Sequence, residues 1–243
     1  MGRTLVIGDI HGGLRALEQV LERATVTPDD HLIFLGDYVD GWSDSAPTVS
    51  YLIELKSRIP TTFIRGNHDD LVHQWLNGRQ MNAKWLQHGG QASIDSYAEL
   101  TGAEIETHKI FYSEMQDYHI DADNRMYCHA GFSNLNGPEY EWHNTAFYWD
   151  RTLWEMVCAM DPGIPKDSDL FPKRLKLFQE IFIGHTPVGR IGRSTPTQMA
   201  NVWNIDTGAA FKGSVSILDV DSKNYWQSDP VWKLYPQENG RNP

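Results

Sequence analysis

The chain has 243 residues, of which 40% are hydrophobic and 22% charged, and a formal net charge of −11. This length suits one α/β domain spanning residues 1–243. The acidic balance argues against nucleic acid or an anionic membrane surface as a partner, and no apolar run approaches the ~18 residues of a membrane span. An anionic substrate is not excluded, because bound divalent cations invert the local charge.

The first third alternates between strand and helix. An apolar run over 3–8 reads as a strand. It leads through Gly12-Gly13 into a helix near 14–24 with Leu14, Leu17, Val20 and Leu21 on one face. A second strand over 32–36 precedes a helix near 46–58, opened by Ser45 as N-cap and Pro47 in the early turn. A third strand over 61–65 precedes a helix near 69–76. Such alternation predicts parallel strands with right-handed crossovers. The pattern breaks near residue 78. Residues 78–116 read as a helical insert over the sheet edge, with helical stretches near 91–100 and 104–114. Residues 117–129 read as two antiparallel strands about Asp123-Asn124. Residues 132–178 look irregular, and strands follow at 180–184, 201–206, 214–220 and 224–227. The tail from Pro236 reads as frayed. Cys128 and Cys158 are the only cysteines, which suggests a reducing compartment without a disulfide framework. The early start of the first strand leaves no room for a leader peptide, so a cytoplasmic location is expected.

Five apolar runs are each followed by a block rich in Asp, Asn and His: Asp9-Ile10-His11, Gly36-Asp37-Tyr38-Val39-Asp40, Gly66-Asn67-His68-Asp69, His129-Ala130-Gly131 and Gly184-His185-Thr186. Gathered at one edge of a sheet, they would supply what a metal site on an α/β scaffold needs. In extended chain, Asp9 and His11 point the same way and can hold one cation. Asp37 can bridge two cations through its two oxygens, and Asn67, His129 and His185 offer neutral ligands for the second. A nitrogen and oxygen set without thiolates suits Mn²⁺, Fe or Zn²⁺, with two divalent ions and Mn²⁺ favoured. His68 suits protonation of a leaving alkoxide, and Asp40 is placed to hold its imidazole and favour the charged form. Asp69 reads as an acid at a helix N-terminus.

These residues resemble the calcineurin-like metallophosphoesterase superfamily. Within it, the chain resembles the phosphoprotein phosphatase branch, especially the small bacterial and phage-type serine/threonine phosphatases. Asp9-x-His11, Gly36-Asp37-x-x-Asp40, Gly66-Asn67-His68-Asp69, His129 and Gly184-His185 carry the resemblance. So do Trp85-Leu86-Gln87-His88-Gly89-Gly90 with Ser96-Tyr97, and Ile205-Asp206-Thr207-Gly208-Ala209. The resemblance implies a four-layered α-β-β-α sandwich. It implies one metal on Asp9, His11 and Asp37 and another on Asp37, Asn67, His129 and His185. It also implies His68 as general acid paired to Asp40, with Arg151 and Asn67 contacting the substrate phosphate. The chain departs from the family at one place. Asp40 is followed by Gly41-Trp42, where the family has Arg-Gly. An arginine there would grip phosphate through its planar fork. Weaker phosphate binding, or a replacement from another loop, is expected.

Two readings share this chemistry. The first is a phosphomonoesterase acting on phosphoserine or phosphothreonine in proteins, and on small phosphoesters, by direct attack of a metal-bridging hydroxide. The alternative is a dinucleoside polyphosphate hydrolase, since the bacterial symmetrical hydrolases look similar around the same blocks. A silent binding module of the same fold is the remote third; such modules usually lose ligands, and here every ligand position is filled. Trp42 is open to two readings, a stacking platform for a nucleobase or a loop residue packed on the body. His88 is a candidate to touch the site, Arg190 and Arg193 read as solvated, with reach to substrate as the second reading, and the Asp206-Thr207-Gly208 turn reads as a buttress to the metal ligands.

Overall fold

The structure, a computed structural model, describes residues 2–81 and 83–242. Its first part runs β1 (Thr4–Ile7), α1 (Leu14–Arg23), β2 (His31–Phe34), α2 (Ser45–Lys56), β3 (Thr61–Phe63) and α3 (Asn67–Leu76). The insert holds α4 (Ala83–Trp85), a wide turn over Leu86–Gly90, α5 (Gln91–Tyr97) and α6 (Gly102–Ser113). Then come β4 (Tyr118–Ile120), β5 (Arg125–Cys128), α7 (Ala146–Trp149), α8 (Thr152–Ala159) and α9 (Lys173–Lys176). The last part is β6 (Glu180–Ile183), β7 (Thr197–Met199), β8 (Val202–Asn204), β9 (Ser216–Asp219), β10 (Tyr225–Gln227) and α10 (Val231–Leu234).

The strands form two five-stranded sheets, ordered β10-β9-β1-β2-β3 and β4-β5-β6-β8-β7. β1, β2 and β3 are parallel, as are β5, β6 and β8. Strand alternation explains the layering. Leu5, Ile7, Leu32 and Phe34 face a core shared with α1, α2, α3 and the insert. Their neighbours Val6, Ile33 and Leu35 face the opposite way and meet Tyr127, Phe182 and Ile205 of the other sheet. Met126, Cys128, Ile181 and Ile183 turn to a third core with α8 and the segment around α9. Both faces of each sheet are thus covered, which is why these strands read as unbroken apolar runs. The arrangement is the four-layered α-β-β-α sandwich.

The insert does cover a sheet edge. Phe111 of α6 packs on Phe63 with ring centroids 4.9 Å apart, and Gln116 bridges to Ile64 just past β3, the edge strand. Its Thr101 is a capping box with Glu104, which starts α6.

Several expectations need correction. The helix expected near 69–76 begins at Asn67, so Asn67 and His68 lie in its first turn. Ser45 is the first helical residue of α2 and Asp44 precedes it. The stretch 132–178 holds α7, α8 and α9; α8 buries Leu153, Trp154 and Val157 on one face but is apolar elsewhere too, which blurs its periodicity. β7 was not expected at all. The tail is not frayed. Tyr235 is buried and stacks on Trp42, Ser43 is held by Glu238, and the Arg241 amide donates to Ala210 O at 2.8 Å. Asn82 of the insert and Pro243 of the tail lie outside the described residues. No helix among the described residues is long and apolar enough to cross a membrane.

Candidate metal centre and substrate cleft

The five blocks come to one place from two sheets, not from one sheet edge. The loops after β1 and β2 bring Asp9, His11, Asp37 and Asp40, the first turn of α3 past β3 brings Asn67 and His68, and the loops after β5 and β6 bring His129 and His185. The loops are welded by backbone bonds: Ile10 N and His11 N donate to Asp37 O at 3.0 and 2.9 Å, and Gly12 N to Tyr38 O at 2.7 Å. Asp9 and His11 do not align by extended-chain parity. β1 ends at Ile7, and His11 is left-handed, with φ +54°. Asp37 (+54°), Asp40 (+69°) and His185 (+67°) share that conformation. Such backbone costs free energy at a non-glycine residue, and here it gathers where side chains must converge.

Two groups of side chains share Asp37. In one, His11, Asp37 and His68 bring ligand atoms within 4.8 Å of one another; in the other, Asp37, His129 and His185 do so. His11 Nε2 lies 3.6 Å from both Asp9 Oδ2 and Asp37 Oδ2, while its Nδ1 meets Asp40 O at 2.8 Å. His129 Nδ1 meets Leu35 O at 2.8 Å, which turns Nε2 toward Asp37 Oδ2 at 3.3 Å and Asn67 Oδ1 at 3.3 Å. His185 Nδ1 lies 2.9 Å from Asn67 Oδ1 and 3.1 Å from His129 Nε2, and its buried Nε2 has no hydrogen-bond partner among the described residues. Opposed imidazole nitrogens, a carboxylate and an amide oxygen meeting at one buried point fit a divalent cation with nitrogen and oxygen ligands.

The electrostatics agree with crowded charge. Burial alone would raise the Asp37 carboxyl, but His129, His68 and His11 around it hold it well below the usual range. Burial pulls His129 down, yet Asp37 more than offsets this and brings it to about 9. Burial and the neighbouring His129 push His185 well below the ordinary imidazole value. Asp206, in the same cavity, is raised to about 8 by burial and by Asp9, and its Oδ1 accepts from Gly208 N at 2.9 Å.

His68 Nδ1 sits 2.7 Å from Asp40 Oδ2. Burial outweighs the pull of Asp37 and Asp40 and leaves His68 below its ordinary value, so Asp40 favours the charged form without prevailing. The Asp40 carboxylate is itself held from the insert. Trp85 Nε1 donates to Oδ2 at 2.6 Å and Ser93 Oγ to Oδ1 at 2.6 Å. The sequence marks the Trp85 stretch, but the function of Trp85 and Ser93 as holders of Asp40 needs the fold. Asp69 does more than complement a dipole. Its carboxylate accepts from the backbone N–H of Gly66, Asp37 and Tyr38 at 2.8, 2.7 and 2.9 Å, tying the β2 and β3 loops together. It is raised to about 7 by burial and by Asp37.

A cleft of about 440 Å³ opens over these residues. Four cationic side chains line it: Lys84, Arg151, Arg190 and Arg241. Arg190, expected to be solvated, is therefore exposed but at the cleft, whereas Arg193 is exposed away from it. His88 lines the cleft as well. Trp42 does not. It is fully buried, donates from Nε1 to Ala209 O at 2.8 Å and stacks on Tyr235, which settles it as a body residue. Three large aromatic side chains line the cleft: Trp85, which is buried, Trp149, 42% exposed, and Phe211. Sequence reasoning missed Lys84, Trp149, Phe211 and Arg241. Only Trp149 and Phe211 carried a signal, lying next to the Asp150-Arg151 and Asp206–Ala209 motifs.

A model of the calcineurin-like phosphoesterases matches residues 2–195. A bis(5'-nucleosyl)-tetraphosphatase PrpE [asymmetrical] of Bacillus anthracis is 27% identical over 230 residues, covering 88% of each chain. Among solved structures, a provisionally named diadenosine tetraphosphatase superposes with a TM-score of 0.62 at 18% identity, covering 93% of this chain and 92% of the other. A serine/threonine phosphatase of Saccharomyces cerevisiae gives 0.61 at 14% identity, covering 94% and 80%. The two structural likenesses are to the fold.

Proposed function

Since this chain belongs to the calcineurin-like phosphoesterase family and is a metal-dependent phosphoesterase, we propose that it hydrolyses dinucleoside polyphosphates of the diadenosine tetraphosphate class. The observation that carries the proposal is the cleft. Lys84, Arg151, Arg190 and Arg241 surround the carboxylate and imidazole cluster, with Trp149 and Phe211 beside them. One phosphate ester needs fewer cations; a chain of phosphates ending in flat bases suits four cations and two aromatic faces. The name carried by the Bacillus anthracis relative supports the same reading. The order of the two sequence readings is thereby reversed, and the serine/threonine phosphatase becomes the rival.

In this proposal Asp9, His11 and Asp37 hold one divalent ion and Asp37, Asn67, His129 and His185 the other, with Mn²⁺ the favoured species. The bound ions supply a hydrolytic nucleophile and neutralise phosphoryl oxygens. Asp37, which belongs to both side-chain groups, would contribute to both ions. Arg151 and Asn67 orient the attacked phosphate. Asp40 keeps a proton on His68 Nδ1, which leaves Nε2 to protonate the departing oxygen. The anionic substrate raises the affinity of that imidazole for a proton and so works against the effect of burial. Water adds across a P–O–P linkage, and the products are two ADP, or ATP and AMP, according to which phosphorus is attacked.

The test is a side-by-side assay. Metal-stripped protein is reloaded with Mn²⁺ and offered diadenosine tetraphosphate, a phosphothreonine peptide and p-nitrophenyl phosphate. Preference for the dinucleotide supports the proposal. Faster turnover of the peptide restores the protein phosphatase, and no turnover with both sites loaded leaves the binding module.

A further inference from the structure

Arg241 belongs to none of the sequence blocks, yet its side chain lines the cleft with His11, Asp37 and His68. The tail reaches there by specific anchors. Glu238 accepts from Ser43 Oγ at 2.7 Å and from Ser43 N at 2.9 Å. The Arg241 amide donates to Ala210 O at 2.8 Å. The tail is therefore held by its backbone and by Glu238, and the guanidinium is left for another purpose. It lies over the Phe211 ring, 5.4 Å from the centroid, a contact that orients it without occupying its N–H groups. Its Nε is buried and has no hydrogen-bond partner among the described residues. A buried, unsatisfied donor on a permanent cation is costly unless an anion completes it.

The neighbouring loop explains why the cation comes from the tail. Gly41 has φ +140°, a backbone that an L side chain rarely adopts. A Cβ built there would meet Arg241 Cγ at 3.5 Å, ordinary van der Waals contact. Arg241 thus runs beside position 41, as does His11, whose O and Cβ would lie 3.1 and 3.4 Å from the same Cβ.

We propose that Arg241 is a substrate-binding residue, whose guanidinium forks onto the phosphoryl oxygens of the substrate at the metal centre and takes from the tail the place that Gly41 leaves open. The inference rests on the reading of the cleft as a phosphate site and not on which phosphate ester fills it.

The test uses the full chain loaded with Mn²⁺, with inorganic phosphate as probe. Calorimetric titration of phosphate into wild type, R241Q and R241K should show affinity falling by about 10–100-fold in R241Q. R241K should fall between the two, because an ammonium keeps the charge but loses the fork. Bound Mn²⁺ and Tm should match wild type in both variants, since the tail is anchored elsewhere. With p-nitrophenyl phosphate, KM should rise in R241Q far more than kcat falls. Phosphate affinity within twofold of wild type in R241Q would overturn the inference, as would a kcat loss with unchanged KM. If R241Q loses phosphate while wild type ignores diadenosine tetraphosphate, the dinucleotide proposal falls and the role of Arg241 stands. Turnover of the dinucleotide with unchanged phosphate binding in R241Q gives the reverse.

Discussion

The imidazole of His68 and the carboxylate of Asp40 meet at 2.7 Å across two loops, and the carboxylate is pinned in turn by Trp85 and Ser93 of the helical insert. The insert is thus part of the apparatus that orients the histidine. His68→Asn should leave metal content near normal and reduce turnover of an alkyl phosphate by roughly 10²–10⁴-fold. The loss should be smaller with p-nitrophenyl phosphate, whose leaving oxygen needs less help. Equal losses on both substrates would argue against proton donation by His68.

Trp85→Phe keeps the ring and removes the donor to Asp40. The expected result is a turnover reduction of about 3–30-fold with metal content unchanged, together with a stability loss of about 1–2 kcal/mol by urea unfolding. A variant with full activity would mean that Asp40 needs no orientation from the insert.

Asp37 stands in both side-chain groups. Asp37→Asn should therefore lower the occupancy of both ions together when metal is counted per chain. Loss of one ion alone would place the bridge elsewhere.

Trp149 is the exposed aromatic face of the cleft. If it stacks on a base, Trp149→Ala should raise KM for diadenosine tetraphosphate by about 5–100-fold, the worth of one stacked base. KM for p-nitrophenyl phosphate should change far less. Parallel changes in both would give the tryptophan a structural part only.

A separate prediction concerns stability. Burial holds His108 down to about 4, where Tyr97 OH and Ser50 Oγ each lie 3.0 Å from one of its nitrogens. In the unfolded chain it titrates near 6.5, so between these values the unfolded state binds more protons. The contribution is fully present above pH 6.5 and is lost as pH falls through 4, with a total size of about 3 kcal/mol, of which about 2 kcal/mol is lost between pH 7 and pH 5. Urea midpoints should drop between pH 7 and pH 5, and His108→Gln should flatten that drop. An unchanged slope would refute the assignment.

The strands and the donor blocks could be read from the sequence because both obey short-range rules. Leu5-Val6-Ile7 and Ile181-Phe182-Ile183 are apolar on every residue because each is covered on both faces. What could not be read depends on distant contacts or unusual backbone. The left-handed turn at His11 replaces the strand parity expected to align it with Asp9. Trp42 carries no mark of whether it faces substrate or Tyr235; only the tail, 193 residues away in Tyr235, decides. Arg241 stands in a polar stretch, Asn239-Gly240-Arg241-Asn242, with nothing local to separate it from a solvated end. The choice proposed above between protein phosphatase and dinucleotide hydrolase has the same origin, since the shared blocks describe the reaction centre and the cleft walls come from elsewhere in the chain.

The donor atoms of the centre come from both sheets, with Asp9, Asp37 and Asn67 on one side of the sandwich and His129 and His185 on the other. An ion seated among them would act as a rivet through the seam, gripping the folded chain and not the unfolded one. Its binding energy then adds to resistance against unfolding, in proportion to the logarithm of free ion concentration. Scarcity of the ion would do more than idle the protein. It would remove that added grip, so that the seam would be left to the apolar core between the two sheets.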